Sequence, residues 1–288
     1  MTKLKPALLL LFIGTCLLSS FNKPNGLKDY YKDYFPIGVA VTPNDIRGAE
    51  KSLILEHFSS ITAENAMKMG PLQPGENRYY WTNADSIVEF GVKNNLRVRG
   101  HCLVWHAQTP RWLFRDTAGK TISKELLLSR IKNHINTVVP RYRGKVYAWD
   151  VVNEAVDQDG GTMRNTIFLQ RMGPNYVKDC FQWARNAAIA AGDTSLLLFY
   201  NDYATSTNIA KQDKVVAILE DLKTAKVIDE EISLLIESQY QRAIEILEEN
   251  KDKLNQLADI LIEKEVIFKD DLEAIFGKRP FEKIDDFS

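Results

Sequence analysis

Trp149-Asp150-Val151-Val152-Asn153-Glu154-Ala155 is a run of aromatic and β-branched residues, too short for a helix, that closes on an amide and a carboxylic acid. Such side chains suit a pleated, buried surface, so the stretch from Tyr147 to Val152 reads as a strand with Asn153 and Glu154 at its C-terminal end. Where parallel strands form a barrel, that end is the rim at which acids meet substrate instead of packing. The fold then depends on whether neighbouring segments supply more strands of the same kind.

They do. Ile37 to Val41, Ser60 to Ala63, Arg97 to Val104 and Leu196 to Tyr200 are further strand-like runs, separated by helical patterns that include Thr82 to Asn94, Ser123 to Val138, Tyr176 to Ala190 and Ile209 to Ala225. Strand then helix, five times over, is the pattern of a parallel sheet in an α/β fold. Polar residues mark four of the strands: Glu64-Asn65 with Lys68 after the second, His101, Trp105, His106 and Gln108 within and after the third, Asn153-Glu154 after the fourth, and Asn201-Asp202-Tyr203 after the fifth. Parallel, adjacent strands would bring all of these to one face.

With 288 residues, 45% of them hydrophobic and 26% charged, the chain is long enough for one large domain or two small ones, and a net charge of -1 gives no case for a nucleic-acid partner. The near-neutral total hides a division. Residues 226–288 hold 9 Lys and Arg against 17 Asp and Glu, while all five Trp and 14 of the 15 Gly precede them, which marks a boundary near residue 225. Cys16, Cys102 and Cys180 form no CxxC pair and imply neither disulfide nor metal framework; Cys102 and Cys180 read as small buried apolar residues. Lys3 and Lys5, the apolar run from Ala7 to Leu18 and Ser19-Ser20 have the layout of a secretory signal peptide over residues 1–21, which implies a secreted or periplasmic protein with no membrane attachment after cleavage. A lipoprotein reading through Cys16 is the weaker alternative.

Thr62-Ala63-Glu64-Asn65-Ala66-Met67-Lys68, Arg99-Gly100-His101-Cys102-Leu103-Val104-Trp105-His106, Trp149 to Glu154 and Tyr200-Asn201-Asp202-Tyr203 resemble the successive rim motifs of glycoside hydrolase family 10, the endo-β-1,4-xylanases, over roughly residues 35 to 225. The resemblance implies a (β/α)8 TIM barrel and a retaining hydrolase of xylan or xylo-oligosaccharides that needs no metal or cofactor. It implies that Glu154 is the general acid/base and that Asn153 holds the sugar hydroxyl beside the scissile bond. It places His101 and Trp105 in the same subsite, with Glu64, Asn65, Lys68 and Gln108 holding the neighbouring xylose on the non-reducing side. Those residue types suit the chemistry, since a carboxylic acid protonates the leaving oxygen, and amide, imidazole and ammonium donors fix hydroxyls. Trp105 and Trp149 could instead be core, Lys68 a solvated helix charge, and Asp202 and Tyr203 either strand-end structure or ligand contacts.

Retaining hydrolysis also needs a second carboxylate about 5 to 5.5 Å from the first. The family supplies it from a later Thr-Glu-Leu-Asp-like strand, which this sequence lacks. The carboxylates after residue 225 fall within helical patterns. The expectation is therefore a partial (β/α)8 barrel of about five βα units over residues 22–225, without its nucleophile and inactive on xylan, at most binding xylo-oligosaccharide. Residues 226–288 read as an all-α tail. Apolar residues recur at helical spacing from Ile228 to Leu247, then at Leu254, Leu257, Ala258 and Leu261, with a short helix from about Asp270 to Phe276 ended by Gly277 and Pro280. Lys223 to Ala243, Asn250 to Leu254 and Leu261 to Glu265 resemble the C-terminal helices of the peptidase domain in FtsH-type AAA zinc metalloproteases. The His-Glu-x-x-His zinc motif and a phosphate-binding loop are both missing, so no protease or ATPase activity follows, at most a helical interaction segment. The two resemblances meet at Leu222-Lys223-Thr224-Ala225 with no Gly, Ser or Pro linker, the mark expected of a chimera.

Overall fold

The structure is a computed structural model that describes residues 26–205, 207–228, 248–264 and 266–277. The expected signal peptide, the expected tail helix over residues 229–247 and Pro280 lie outside the described residues. The chain divides into two compact units, Met1–Ile228 and Asp229–Ser288.

In the first unit five strands, β1 (Gly38–Val41), β2 (Ser60–Ala63), β3 (Arg97–Trp105), β4 (Val146–Asn153) and β5 (Leu197–Asn201), lie side by side in sequence order, every pair parallel. The helices are α1 (Leu27–Tyr30), α2 (Glu50–His57), α3 (Met69–Leu72), α4 (Thr82–Lys93), α5 (Lys124–Arg141), α6 (Ile167–Met172), α7 (Tyr176–Ala190) and α8 (Ile209–Thr224). This is the α/β architecture expected, five βα units of the (β/α)8 type. The additional α2 buries only Ile54 and so leaves no apolar stripe to read in the sequence. Helix α5 runs past the expected end at Val138 and carries Pro140 in its last turn, where the ring suits the helical φ and only one N–H is lost.

The long helices bury single stripes against the sheet. α5 buries Leu127, Ile131, His134, Ile135, Val138 and Val139; α7 buries Val177, Cys180, Phe181, Ala184, Ala187 and Ala188. Side chains fix the starts of α5 and α8: Ser123 Oγ accepts from Leu126 N–H at 3.2 Å, and Asn208 Oδ1 accepts from Lys211 N–H at 3.0 Å. Trp149 is fully buried, which settles it as core, and Cys102 and Cys180 are buried free thiols whose pKa burial pushes up.

His134 makes the core sensitive to acid. Its ring is fully buried, Nδ1 meets Gln73 Oε1 at 2.7 Å, Nε2 has no partner, and burial lowers its pKa from 6.5 to about 3. A folded pKa below the unfolded one means that stability is whole above pH 6.5 and falls as the pH drops towards 3, by about 1.4 kcal/mol per pH unit. Urea unfolding between pH 7 and 4 is expected to show that slope, and to lose most of it in His134→Gln. An unchanged slope in the variant would assign the acid lability elsewhere.

In the second unit the described residues form helices Lys251–Lys264 and Lys269–Phe276, close to the segments expected. Asp271 accepts from Lys264 Nζ at 2.7 Å and from Phe268 N–H at 3.0 Å, and Gly277, at φ +84°, ends the second helix.

Candidate active site

Strand register assembles the site. His101 lies beside Asp150, Trp105 beside Asn153, and Asn153 beside Asn201, so β3, β4 and β5 deliver their polar ends to one rim. At its centre Trp105 Nε1 donates to Glu154 Oε2 at 3.1 Å. Buried Asn153 accepts from Asn201 Nδ2 at 2.8 Å and lies 3.4 Å from Glu154 Oε1 through Nδ2. With the Asn153 amide turned over, its oxygen comes to 3.2 Å from Trp105 Nε1, so the indole can serve either side chain.

Glu154 sits at φ +55°, a left-handed conformation that costs a non-glycine residue about 1–3 kcal/mol unless its surroundings over-determine it. Its N–H donates to Asn201 O at 2.8 Å, and its carbonyl accepts from Arg164 Nε at 3.0 Å. Beyond it Ala155 N–H donates to Tyr200 Oη at 3.0 Å, and that hydroxyl donates to Asp202 Oδ2 at 2.6 Å. Burial and the Asp202 carboxylate hold the Tyr200 hydroxyl above its usual pKa. Burial and the charge of Arg164 lower the pKa of His106, whose ring lies edge-on to Trp105.

A second cluster stands at the end of β2. Asn65 Oδ1 accepts from Lys68 Nζ at 3.0 Å and from Gln108 Nε2 at 3.1 Å, and Lys68 Nζ lies 4.8 Å from the centre of the Trp105 ring. Lys68 is half-buried at the head of α3, between Asn65 and the Trp105 indole. The backbone of Gly70 approaches Gln108 so closely that a Cβ would lie 2.5 Å from its carbonyl oxygen. Only glycine permits the bond from Gly70 N–H to Gln108 O at 2.8 Å, which docks the Gln108 loop. Glu64 lines an open cavity of about 540 Å³ on the inner sheet face with Thr62, Arg99, His101, Asp150 and Asn201.

Of the eight residues singled out, Trp105 and Asn153 end β3 and β4 and Glu154 follows Asn153; His101 lies within β3 and lines the cavity with Glu64; Asn65, Lys68 and Gln108 cluster beside Trp105. Sequence reading gave no role to Arg99 or Asp150. Asp150, almost wholly buried, accepts from Arg99 Nε at 3.0 Å and Nη2 at 2.5 Å and pairs with His101 Nδ1 at 2.8 Å. A carboxylate between Trp149 and Val151 was the available signal, because a buried charge requires partners. Asp202, left open between strand-end structure and ligand contact, has a buried carboxylate paired with buried Lys211, Nζ to Oδ1 2.8 Å. Among the described residues no three of His, Cys, Asp and Glu gather as a metal would require.

The chain matches the family description "Glycosyl hydrolase family 10" over residues 26–259, past the change of composition at 226. It is 45% identical over 193 residues to endo-1,4-beta-xylanase A of Caldicellulosiruptor saccharolyticus, covering 67% of this chain and 55% of that protein. It is 44% identical over 193 residues to endo-1,4-beta-xylanase B of Paenibacillus barcinonensis, covering 67% and 56%. The chain thus spans just over half the length of these relatives. Among solved structures, the xylanase XynB of Paenibacillus barcinonensis with a conduramine derivative superposes with a TM-score of 0.65 at 41% identity, covering 71% of this chain and 60% of that one. A Glu-to-Ala variant of an intracellular xylanase of Thermoanaerobacterium saccharolyticum, in complex with xylotriose, superposes with a TM-score of 0.66 at 37% identity, covering 72% and 65%.

Proposed function

This chain belongs to glycosyl hydrolase family 10, and from that premise we propose that its rim holds β-1,4-linked xylose chains with Glu154 as the acid/base carboxyl of a retaining endo-1,4-beta-xylanase site. The observation that carries the reading is the hydrogen bond from Trp105 Nε1 to Glu154 Oε2, which fixes one carboxyl oxygen at the strand-end rim beside Asn153. Asn153, His101 and Trp105 would hold the sugar next to the scissile bond. Glu64, Asn65, Lys68 and Gln108 would hold the next xylose on the non-reducing side.

The other half of the chemistry is a carboxylate about 5 to 5.5 Å away that attacks the anomeric carbon. Among the described residues of the rim, Asp150 is engaged by Arg99 and His101, and Asp202 by Lys211 and Tyr200. Glu64 stands two strands from β4, about 10 Å at the usual strand spacing. We infer that the chain binds xylo-oligosaccharide without cleaving it. Calorimetric titration with xylohexaose is expected to show binding that Lys68→Ala weakens, and reducing-sugar release from xylan is expected to stay at the level of Glu154→Gln. Release that Glu154→Gln abolishes would establish a nucleophile and overturn the inference, and absence of binding would overturn the sugar reading itself.

We further propose that residues 1–21 direct secretion, and that the acidic segment from about residue 223 derives from the end of an FtsH-type metalloprotease peptidase domain, as in a chimera. The abrupt change in charge and the missing linker at Leu222 to Ala225 support the second proposal, and the family match to residue 259 stands against it. One unbroken read of source DNA across this junction is expected to carry the frame straight through Lys223-Thr224-Ala225. A read that runs on into further βα units instead would remove the tail from this protein.

A further inference from the structure

The peptide that follows Glu154 is held by contacts on both sides, and both chains of contacts lead to one buried ion pair. On the N–H side, Tyr200 Oη accepts from Ala155 N–H at 3.0 Å because its own proton is committed to Asp202 Oδ2 at 2.6 Å. Asp202 Oδ2 also lies 3.4 Å from Val156 N–H. On the carbonyl side, Arg164 donates Nε to Glu154 O at 3.0 Å and Nη2 to Tyr203 Oη at 3.2 Å. The Tyr203 ring in turn lies 3.6 Å from Lys211 Nζ. The side chains of Lys211 and Asp202 are 0% and 1% exposed, with Nζ and Oδ1 2.8 Å apart. Lys211 is set in the first turn of α8, where its N–H meets the capping Asn208.

A buried ion pair loses in desolvation much of what it gains in attraction, so stability alone is a weak reason for this one. Its position supplies another. We propose that Asp202 and Lys211 are positioning residues for Glu154, holding its peptide through Tyr200 on one side and through Tyr203 and Arg164 on the other, so that the carboxyl stays against Trp105. The proposal rests on the reading of Glu154 as the carboxyl that faces the sugar.

The test is the indole N–H resonance of Trp105 in ¹⁵N-tryptophan-labelled full chain, assigned with Trp105→Phe. Glu154→Gln is expected to shift it, and Tyr200→Phe and Lys211→Met are expected to shift it in the same direction, leaving the other four indoles in place. A Trp105 resonance unmoved in both variants, with only the melting temperature lowered, would make the pair structural and overturn the proposal; so would a Glu154→Gln that leaves it unmoved. Should Lys211→Met fail to fold, Tyr200→Phe decides, since it removes one hydroxyl and keeps the ion pair. Neither readout uses sugar. A wild-type chain that binds no xylotriose would therefore sink the functional reading while this result stands or falls separately.

Discussion

Asp150→Ala is expected to remove measurable xylotriose binding and to cost about 2–3 kcal/mol of stability. The carboxylate is 2% exposed and is the shared acceptor for Arg99, through Nε and Nη2, and for His101 Nδ1. Deleting it leaves a guanidinium facing the inner sheet without its counter-charge and frees the imidazole to rotate. Breaking a fully buried pair costs about 3–5 kcal/mol; the Arg99 side chain is 31% exposed and recovers part of that from water. On the proposed reading of His101 as a sugar contact, the loss of binding follows from orientation: the bond to Asp150 fixes which edge of the ring turns outward, so an untethered ring no longer presents a fixed donor. Asp150→Asn keeps the shape and one acceptor oxygen, and its expected effect lies between. Calorimetry and urea unfolding on the three proteins check both parts. Wild-type affinity in Asp150→Ala would show that His101 is held by something else.

That Asp150 went unassigned while Glu154 stood out shows where sequence reading reaches. Strand positions were legible because β-branched and aromatic runs alternate with long one-faced helices, and β2 and α7 came out with the expected ends. The rim was legible because its residues stand at the ends of strands or close by in the chain. Groups that depend on pairing between distant segments were not. Arg99 and Asp150 meet only because β3 lies beside β4 with His101 opposite Asp150. Lys211 reads as one more helix charge until the fold carries it inward to Asp202. The short helix α6 was hidden for the opposite reason: six residues between loops give too little periodicity to register.

The largest loss of stability is expected at Trp149. Its ring is fully buried, and Trp149→Ala opens a cavity that β4, held on both sides by neighbouring strands, cannot collapse to fill; about 3–5 kcal/mol is the usual cost. At about 2–4 °C per kcal/mol for a domain of this size, the melting temperature should fall by roughly 6–20 °C. The same ring dictates its neighbour. Gly100 is paired with Trp149, and a Cβ on Gly100 would lie 2.3 Å from Cε3, 2.4 Å from Cδ2 and 2.5 Å from Cζ3, all atoms of a ring with no room to retreat. Gly100→Ala should therefore cost at least the 1–3 kcal/mol typical of overpacking, and it should also disturb His101 next to it. The two effects share one cause, so they must couple: with Trp149→Leu in the background, the added methyl meets a smaller side chain and Gly100→Ala should cost less. A double-mutant cycle by urea unfolding is expected to give an interaction of about 1 kcal/mol or more. Additive costs would mean that the glycine is required by the backbone of β3 and not by the indole packed against it.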